Sequence, residues 1–447
     1  MSLKKFHFII SSVFITFALT CCLYSQSSWV TLQNSPYTQW RSDDVSFVNA
    51  NTGWIVWDSV FSYNNTGKIY KTTDGGITWN LQFSLLHSYF RCIEFADSLN
   101  GWMGTLGSAL GTNMDELYFT NDGGSNWQAF TGIQNRYGGL CGISVVDRNN
   151  VFSCGRVVHL GNYVSQFIKT TNGGLNWTYQ NMNAYGSMLV DCYFFNKDTG
   201  YAVGARRNTT PFGNLVLYTT NGGTDWETVY SDSSDVICWK IFFVNRNTGY
   251  ISNDNYDDTL AYLKTTDAGL NWTRFTLPNG GFTSFQQGIG FMNENTGWIG
   301  GGQYTFKTTN AGASWFQDNF GININRFQFL SDTLAYAVGQ KVYKFTSKTI
   351  GIHQLSSNVP DDFFLYQNYP NPFNPVTNLE FGISNLGFVT LKVFDVLGKE
   401  VAILVNEELL PGSYKAEFNG ADLPSGVYFY KLETDNFTEV KRMILLK

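Results

Sequence analysis

One eight-residue pattern, Thr-x-Asp/Asn-x-Gly-x-x-Trp, occurs six times in this chain. Successive copies start 48, 50, 49, 46 and 43 residues apart. A near-fixed period of that size restricts the chain to a repeat architecture, in which each unit buries its apolar face only against its neighbours. The copies are Thr72, Asp74, Gly76, Trp79; Thr120, Asp122, Gly124, Trp127; Thr170, Asn172, Gly174, Trp177; Thr219, Asn221, Gly223, Trp226; Thr265, Asp267, Gly269, Trp272; and Thr308, Asn310, Gly312, Trp315. Each reads as a tight turn between two strands. The Thr hydroxyl and the Asp or Asn side chain can bond the turn's backbone N–H groups. Glycine takes φ > 0 at no steric cost, and the indole locks the hairpin on its neighbours. Asn at three of the six acidic positions cannot act as a carboxylate, whereas a structural role needs only an acceptor oxygen. The pattern is therefore read as structural, not catalytic or metal-binding.

A second phrase precedes each copy. It reads Val45-Ser46-Phe47-Val48-Asn49-Ala50-Asn51-Thr52-Gly53-Trp54 in the first repeat and returns at 93–102, 192–201, 241–250 and 289–298, with degenerate forms at 143–152 and 327–336. It predicts an apolar strand, a polar turn and a strand that opens on an aromatic residue. With the hairpin that makes four antiparallel strands per repeat, the signature of a β-propeller blade. Seven such phrases predict seven blades. The seventh lacks its outgoing Trp strand, and a matching segment stands at the other end as Ser28-Trp29-Val30-Thr31-Leu32-Gln33. The N-terminal strand is thus expected to complete the last blade and close the ring. The repeated turn resembles the Asp-box, or bacterial neuraminidase repeat. Residues 27–347 resemble the seven-bladed photosystem II assembly and stability factors, which implies the fold and a binding role.

The first residues read as a secretory signal, 1–26, with Lys4 and Lys5 before an apolar run from Phe6 to Leu19 that is short for a membrane span. Cys21-Cys22 raises a lipoprotein alternative, although Ala18, Leu19 and Thr20 fit a lipobox poorly. No later stretch reads as transmembrane. Cys92, Cys141, Cys154, Cys192 and Cys238 are odd in number and lack metal-site spacing, so buried, unpaired thiols are expected. Aromatics at 17% and charged residues at 14% favour a folded β-rich protein. A net charge of −6 without a basic block argues against nucleic acid as a partner. No cofactor or metal is expected.

The repeats stop near Ser347, and 348–362 reads as a linker. Residues 363–447 alternate apolar and polar residues in six expected strands: 377–382, 389–395, 400–405, 413–418, 427–433 and 439–446, with Gly and Pro in the turns. The pattern predicts a small immunoglobulin-like β-sandwich. The opening Tyr369-Pro370-Asn371-Pro372-Phe373-Asn374-Pro375, the run Phe388 to Val401, the phrase Ser425 to Tyr430 and the ending Lys441 to Lys447 resemble the C-terminal sorting domain (type A) of the type IX secretion system. That resemblance implies the type IX machinery as a partner of 363–447, and delivery through the periplasm of a Gram-negative bacterium to its outer surface or beyond. It implies removal of the sorting domain as well, with cleavage expected in the linker.

Propeller loops that lead into the inner strands share one face, opposite the repeated turns. That face is expected to gather Arg41, Asp43, Asp44, Arg91, Asp191, Trp239, Lys240 and Arg326 around the central channel. Longer loops there would carry Tyr63, Arg156, His159, Arg206, Arg207 and Tyr256. The fold class is all-β, and the function expected is non-enzymatic binding of a protein or glycan. The alternative is a sialidase-like or xyloglucanase-like glycoside hydrolase. A sialidase needs an arginine cluster and an Arg-Ile-Pro phrase, where this chain has Gln39-Trp40-Arg41-Ser42. A hydrolase would need a carboxylate pair, with Asp43, Asp44, Asp191 and Asp235 as candidates.

Overall fold

The computed structural model describes residues 28–58, 66–106, 117–131, 139–159, 162–207, 211–255, 261–277, 286–318, 320–346, 353–356, 359–421 and 423–447. The expected signal sequence lies outside them. All regular elements described are strands, arranged in nine four-stranded antiparallel sheets. Among the described residues, no helix is long and apolar enough to cross a membrane. One compact unit is Ser28–Ser347, and a second holds Lys348–Lys447.

Seven of the sheets form the ring of a seven-bladed propeller. Its inner strands are Asp44–Phe47, Phe90–Phe95, Leu140–Val145, Met188–Phe194, Val236–Phe243, Gln286–Phe291 and Arg326–Phe329, which begin blades 1 to 7. Each touches the next, and the last touches the first. Closure joins the two ends of the ring segment. Ser28–Thr31 pairs antiparallel with Val342–Thr346, Trp29 opposite Phe345. The Trp29 indole stacks on Phe320 at 4.7 Å and meets Trp298 edge-on at 5.6 Å.

Blades are held to one another by aromatic pairs. An aromatic residue near the start of the second strand of one blade stacks on the Phe that ends the inner strand of the next. Examples are Trp54 on Phe95 at 3.6 Å, Phe152 on Phe194 at 3.7 Å, Tyr250 on Phe291 at 3.7 Å and, across the closure, Tyr336 on Phe47 at 3.5 Å. The repeated Trp meets that Phe edge-on, as in Phe95–Trp127 at 5.8 Å and Phe291–Trp315 at 6.0 Å. Trp226, Trp272 and Trp315 are buried, whereas Trp79, Trp127 and Trp177 are half-buried. The five cysteines of the ring are free and buried.

The six turns share one bonding scheme. In the first, Thr72 Oγ1 donates to Asp74 Oδ1 at 2.8 Å, Gly76 N donates to Thr72 Oγ1 at 2.9 Å, and Thr78 N donates to Asp74 Oδ1 at 2.9 Å. The same three bonds recur in each of the other five. The residue after the Asp or Asn is left-handed every time, from Gly75 at φ 70° to Ala268 at 61° and Ala311 at 58°. Its N–H bonds the polar turn of its own blade, as in Gly75 N to Asn51 O at 2.8 Å, so both turns share one face. Its carbonyl accepts from the preceding blade: Lys71 Nζ to Gly123 O at 2.8 Å, Lys169 Nζ to Gly222 O at 2.6 Å, Lys264 Nζ to Ala311 O at 2.7 Å and Lys344 Nζ to Gly75 O at 3.1 Å. The lysine just before the pattern in blades 1, 3 and 5, and Lys344 at the matching register of blade 7, are thus staples between blades.

The second unit is a sandwich of two four-stranded sheets around a core that includes Leu379, Phe381, Leu391, Tyr430 and Met443. The six expected strands are present, and two short ones are added at Phe364–Leu365 and His353–Ser356. The latter falls inside the segment read as a linker. It pairs with Gly412–Asn419, so part of that segment belongs to the sandwich edge.

Candidate functional site

The face opposite the repeated turns brings the eight predicted residues together. Five inner strands begin there with a register irregularity, at Phe90/Cys92, Leu140/Gly142, Leu189/Asp191, Cys238/Ile241 and Gln286/Gly288. A bulge re-aims the side chains it carries. Here it presents Arg91, Trp239, Lys240 and Gln287 to the channel.

The outer layer centres on Asp43. Its Oδ1 accepts from Arg41 Nε at 2.6 Å and from Asn325 Nδ2 at 3.0 Å, and lies 2.5 Å from Arg91 Nη1. Arg41 also donates to Gln287 Oε1. Trp239 reaches across the channel mouth from blade 5. Its Nε1 donates to Asn325 Oδ1 at 3.1 Å, and the guanidiniums of Arg41 and Arg91 lie 5.6 and 5.1 Å from its ring centroid. Cation–π attraction of this kind strengthens as the pair is desolvated. Burial alone would raise the Asp43 carboxyl, but Arg41 and Arg91 outweigh it and hold the group below the usual carboxylate range. Neighbouring Asp58 goes the other way, pushed well up by burial and then by the Asp43 charge.

The next layer centres on Arg326. Its Nε donates to Asp44 Oδ1 at 2.9 Å, while Nη1 and Nη2 donate to the two oxygens of Asp191 at 3.1 and 3.0 Å. The carboxylates also receive backbone N–H groups of the following blade, Ile93 to Asp44 and Ile241 to Asp191, both at 3.1 Å. Lys240 belongs to this layer. Deeper still, Gln328, Ser46, Glu94 and Ser144 accept from Phe47, Phe95, Val145 and Phe194 N at 2.6 to 3.0 Å, each on the next blade round. Burial raises the Glu94 carboxyl to about 8. The inner edge of the ring is therefore satisfied by side chains of neighbouring blades.

Of the eight residues, Asp43, Asp44, Arg91, Asp191 and Lys240 are buried, and Arg41, Trp239 and Arg326 are half-buried. Beside Arg41, Trp40 is 43% exposed, with the Arg41 guanidinium 6.0 Å from its ring centroid. Arg206 and Arg207 are exposed and Arg156 half-buried. Tyr63, Tyr256 and the side chain of His159 lie outside the description. Asp235 is not among the partners of this network. Gln287, Asn325 and Glu94 were not foreseen. Relative to the apolar start of each inner strand, Gln287 and Asn325 sit in phase with Asp43, and Glu94 with Ser46, and those columns were the available signal.

Residues 367–446 match the secretion system C-terminal sorting domain. That domain addresses the chain to the type IX secretion system, and so to the cell surface or the outside. Among solved structures, YCF48 bound to D1 peptide is similar, with a TM-score of 0.52 at 17% identity over 72% of this chain and 97% of that one. An extracellular domain from B. thetaiotaomicron aligns at 9% identity and a TM-score of 0.48 over 95% of this chain and 60% of that one. A GH74 enzyme of Niastella koreensis gives 12% identity and a TM-score of 0.28 over 90% and 83%. A search of curated proteins finds no match. The first of these likenesses supports the propeller fold.

Proposed function

We propose that the ring is a non-enzymatic binding module, carried to the cell surface or outside, that takes an acidic protein or glycan at the rim formed by Trp40, Arg41 and Trp239. The observation that carries this is the inward use of the acids. Asp43, Asp44 and Asp191 are buried against arginines, Glu94 is bonded to Val145 N, and Asp58 is buried and raised. A glycosidase needs one acid and one carboxylate facing substrate, about 5–9.5 Å apart. The rim instead offers aromatic faces and a guanidinium, which suit stacking on a sugar ring or pairing with a carboxylate. The test is binding of the purified protein to a glycan array and to acidic peptides, with release of reducing sugar assayed in parallel. Trp40→Ala with Arg41→Ala is expected to weaken binding at least tenfold while the ring stays folded. Sustained hydrolysis that disappears in Asp191→Asn would establish the hydrolase reading in its place.

A further inference from the structure

Among the described residues, Lys240 is the one channel cation without a counter-charge of its own. The residue is 1% exposed, and its Nζ has no hydrogen-bond partner among the described residues. The bulge between Cys238 and Ile241 faces it to the axis, where the charges acting on it come from four other blades: Arg326, Asp191, Arg91 and Asp44. Its backbone N–H is bonded to Ser252 Oγ at 3.1 Å. The nearby carboxylates are committed elsewhere. Asp44 and Asp191 are held by Arg326, and Asp43 lies between Arg41 and Arg91. Three carboxylates thus answer three guanidiniums, and the lysine is a fourth cation. The two other buried acids are held toward their neutral form: Glu94, which accepts from Val145 N, is pushed up to about 8 by burial, and Asp58 is pushed well up by burial and then by the Asp43 charge. A buried ammonium without an acceptor carries a penalty of several kcal/mol, and buried charges in folded proteins are paired.

We propose that the channel binds one small monovalent inorganic anion, of the halide class, at Lys240 Nζ, beneath the Trp239 indole. The charge follows from the excess of one cation. The small size follows from the position: Trp239 crosses the mouth, fixed by Asn325 and faced by two guanidiniums, so an organic carboxylate would have to displace it. The ion is a structural part of the ring and does not depend on what binds at the rim. Burial, and after it the Arg326 charge, lowers the Lys240 amine to about 8. An anion in contact opposes that shift and keeps the ammonium charged.

The test is thermal unfolding of the purified protein at pH 7 and constant ionic strength, with sodium bromide replacing sodium gluconate step by step. The melting temperature is expected to rise with bromide as one site fills. Lys240→Met should lose that dependence. Crystals of the unaltered protein grown in bromide should show an anomalous peak in contact with Lys240 Nζ. That map decides by itself if the variant fails to fold. Coincident bromide and gluconate melting curves, an anomalous map empty at Lys240, or a peak or shift unchanged in Lys240→Met, which would mean an adventitious ion only, each overturn the proposal.

Discussion

Arg326, on the seventh blade, holds Asp191, on the fourth, by a two-pronged bond of 3.1 and 3.0 Å across the channel. The same guanidinium donates to Asp44 on the first blade. Since Asp191 also takes Ile241 N of blade 5, and Asp44 takes Ile93 N of blade 2, five of the seven blades converge on one side chain. Two-pronged charge-assisted bonds are geometrically demanding, which makes this contact a register device for the whole ring.

Removing Arg326 leaves two carboxylates buried without their cation. Arg326→Met is expected to lower stability by about 3–5 kcal/mol, measured by urea unfolding. Changing Asp44 and Asp191 to Asn in the same chain keeps the acceptors for Ile93 and Ile241 N while removing the charge, and should recover most of the loss. A triple variant as weak as the single one would show that the charges are not what Arg326 answers.

Closure is tested at Trp29, which packs between the outer part of the last blade and Trp298 of the sixth. Deleting residues 28–33 exposes an edge of the last sheet and should cost several kcal/mol, with Trp29→Ala alone costing about 3–5 kcal/mol. A melting temperature unchanged by the deletion would mean that the ring holds without its N-terminal strand.

In five of the six turns the choice of Asp or Asn goes with the residue four places on; Asn172, with Asn176 there, departs from it. Asp74, Asp122 and Asp267 face donors, Thr78 Oγ1 at 2.6 Å and the amides of Asn126 and Asn271 at 2.7 Å. Asn221 and Asn310 instead donate, to Asp225 at 2.9 Å and Ser314 at 2.8 Å. Asp74→Asn should be nearly silent, because the Thr78 hydroxyl also accepts. Asn221→Asp sets two carboxylates together and should cost about 0.5–1 kcal/mol at pH 7, discounted for exposure, with recovery in the Asn221→Asp, Asp225→Asn double variant. The Thr78 and Asn126 side chains, with the backbone N–H groups beside them, hold Asp74 and Asp122 down to about 2. Their contribution is present above pH 4 and fades as pH falls toward 2.

The ring, its closure and the sorting sandwich were legible because each rests on local periodicity: alternation in the strands, a turn with fixed chemistry, an aromatic at a fixed place. The channel was only half legible. The phase of the inner strands nominated Asp44, Asp191 and Arg326, but nothing local states that Arg326 crosses to a blade 135 residues away. Bulges are equally silent in a single sequence, since one extra residue leaves the apolar pattern nearly intact. They decide that Trp239 spans the mouth while Lys240 turns inward. Lys71, Lys169, Lys264 and Lys344 looked like ordinary strand polar residues, because their partners lie on the next blade.

Glu94 supplies a pH dependence. Its folded carboxyl titrates near 8, against about 4.3 in the unfolded chain, so the folded state holds the extra proton between those values. Stability from this group therefore falls as pH rises from about 4.5 to 8, by an amount of the order of 3–5 kcal/mol. Glu94→Gln keeps an acceptor for Val145 N and should flatten that slope, gaining on the unaltered protein as pH rises. Parallel stability–pH curves for the two proteins would place the proton elsewhere.

Export gives the last prediction. The sorting sandwich includes His353–Ser356 as an edge strand on Gly412–Asn419, ahead of the stretch 363–447 that resembles the sorting domain. An uncovered neighbour in that sheet would present free N–H and C=O groups during passage. A periplasmic reporter fused to 353–447, in a host with the type IX system, is therefore expected to reach the surface in higher yield than one fused to 363–447. Deleting 353–447 from the native chain should strand the ring in the periplasm, still folded, since its closure uses Ser28–Thr31 and no part of the sandwich. Equal export of both fusions would reduce the edge strand to decoration, and surface delivery of the truncated ring would remove the address from this domain altogether.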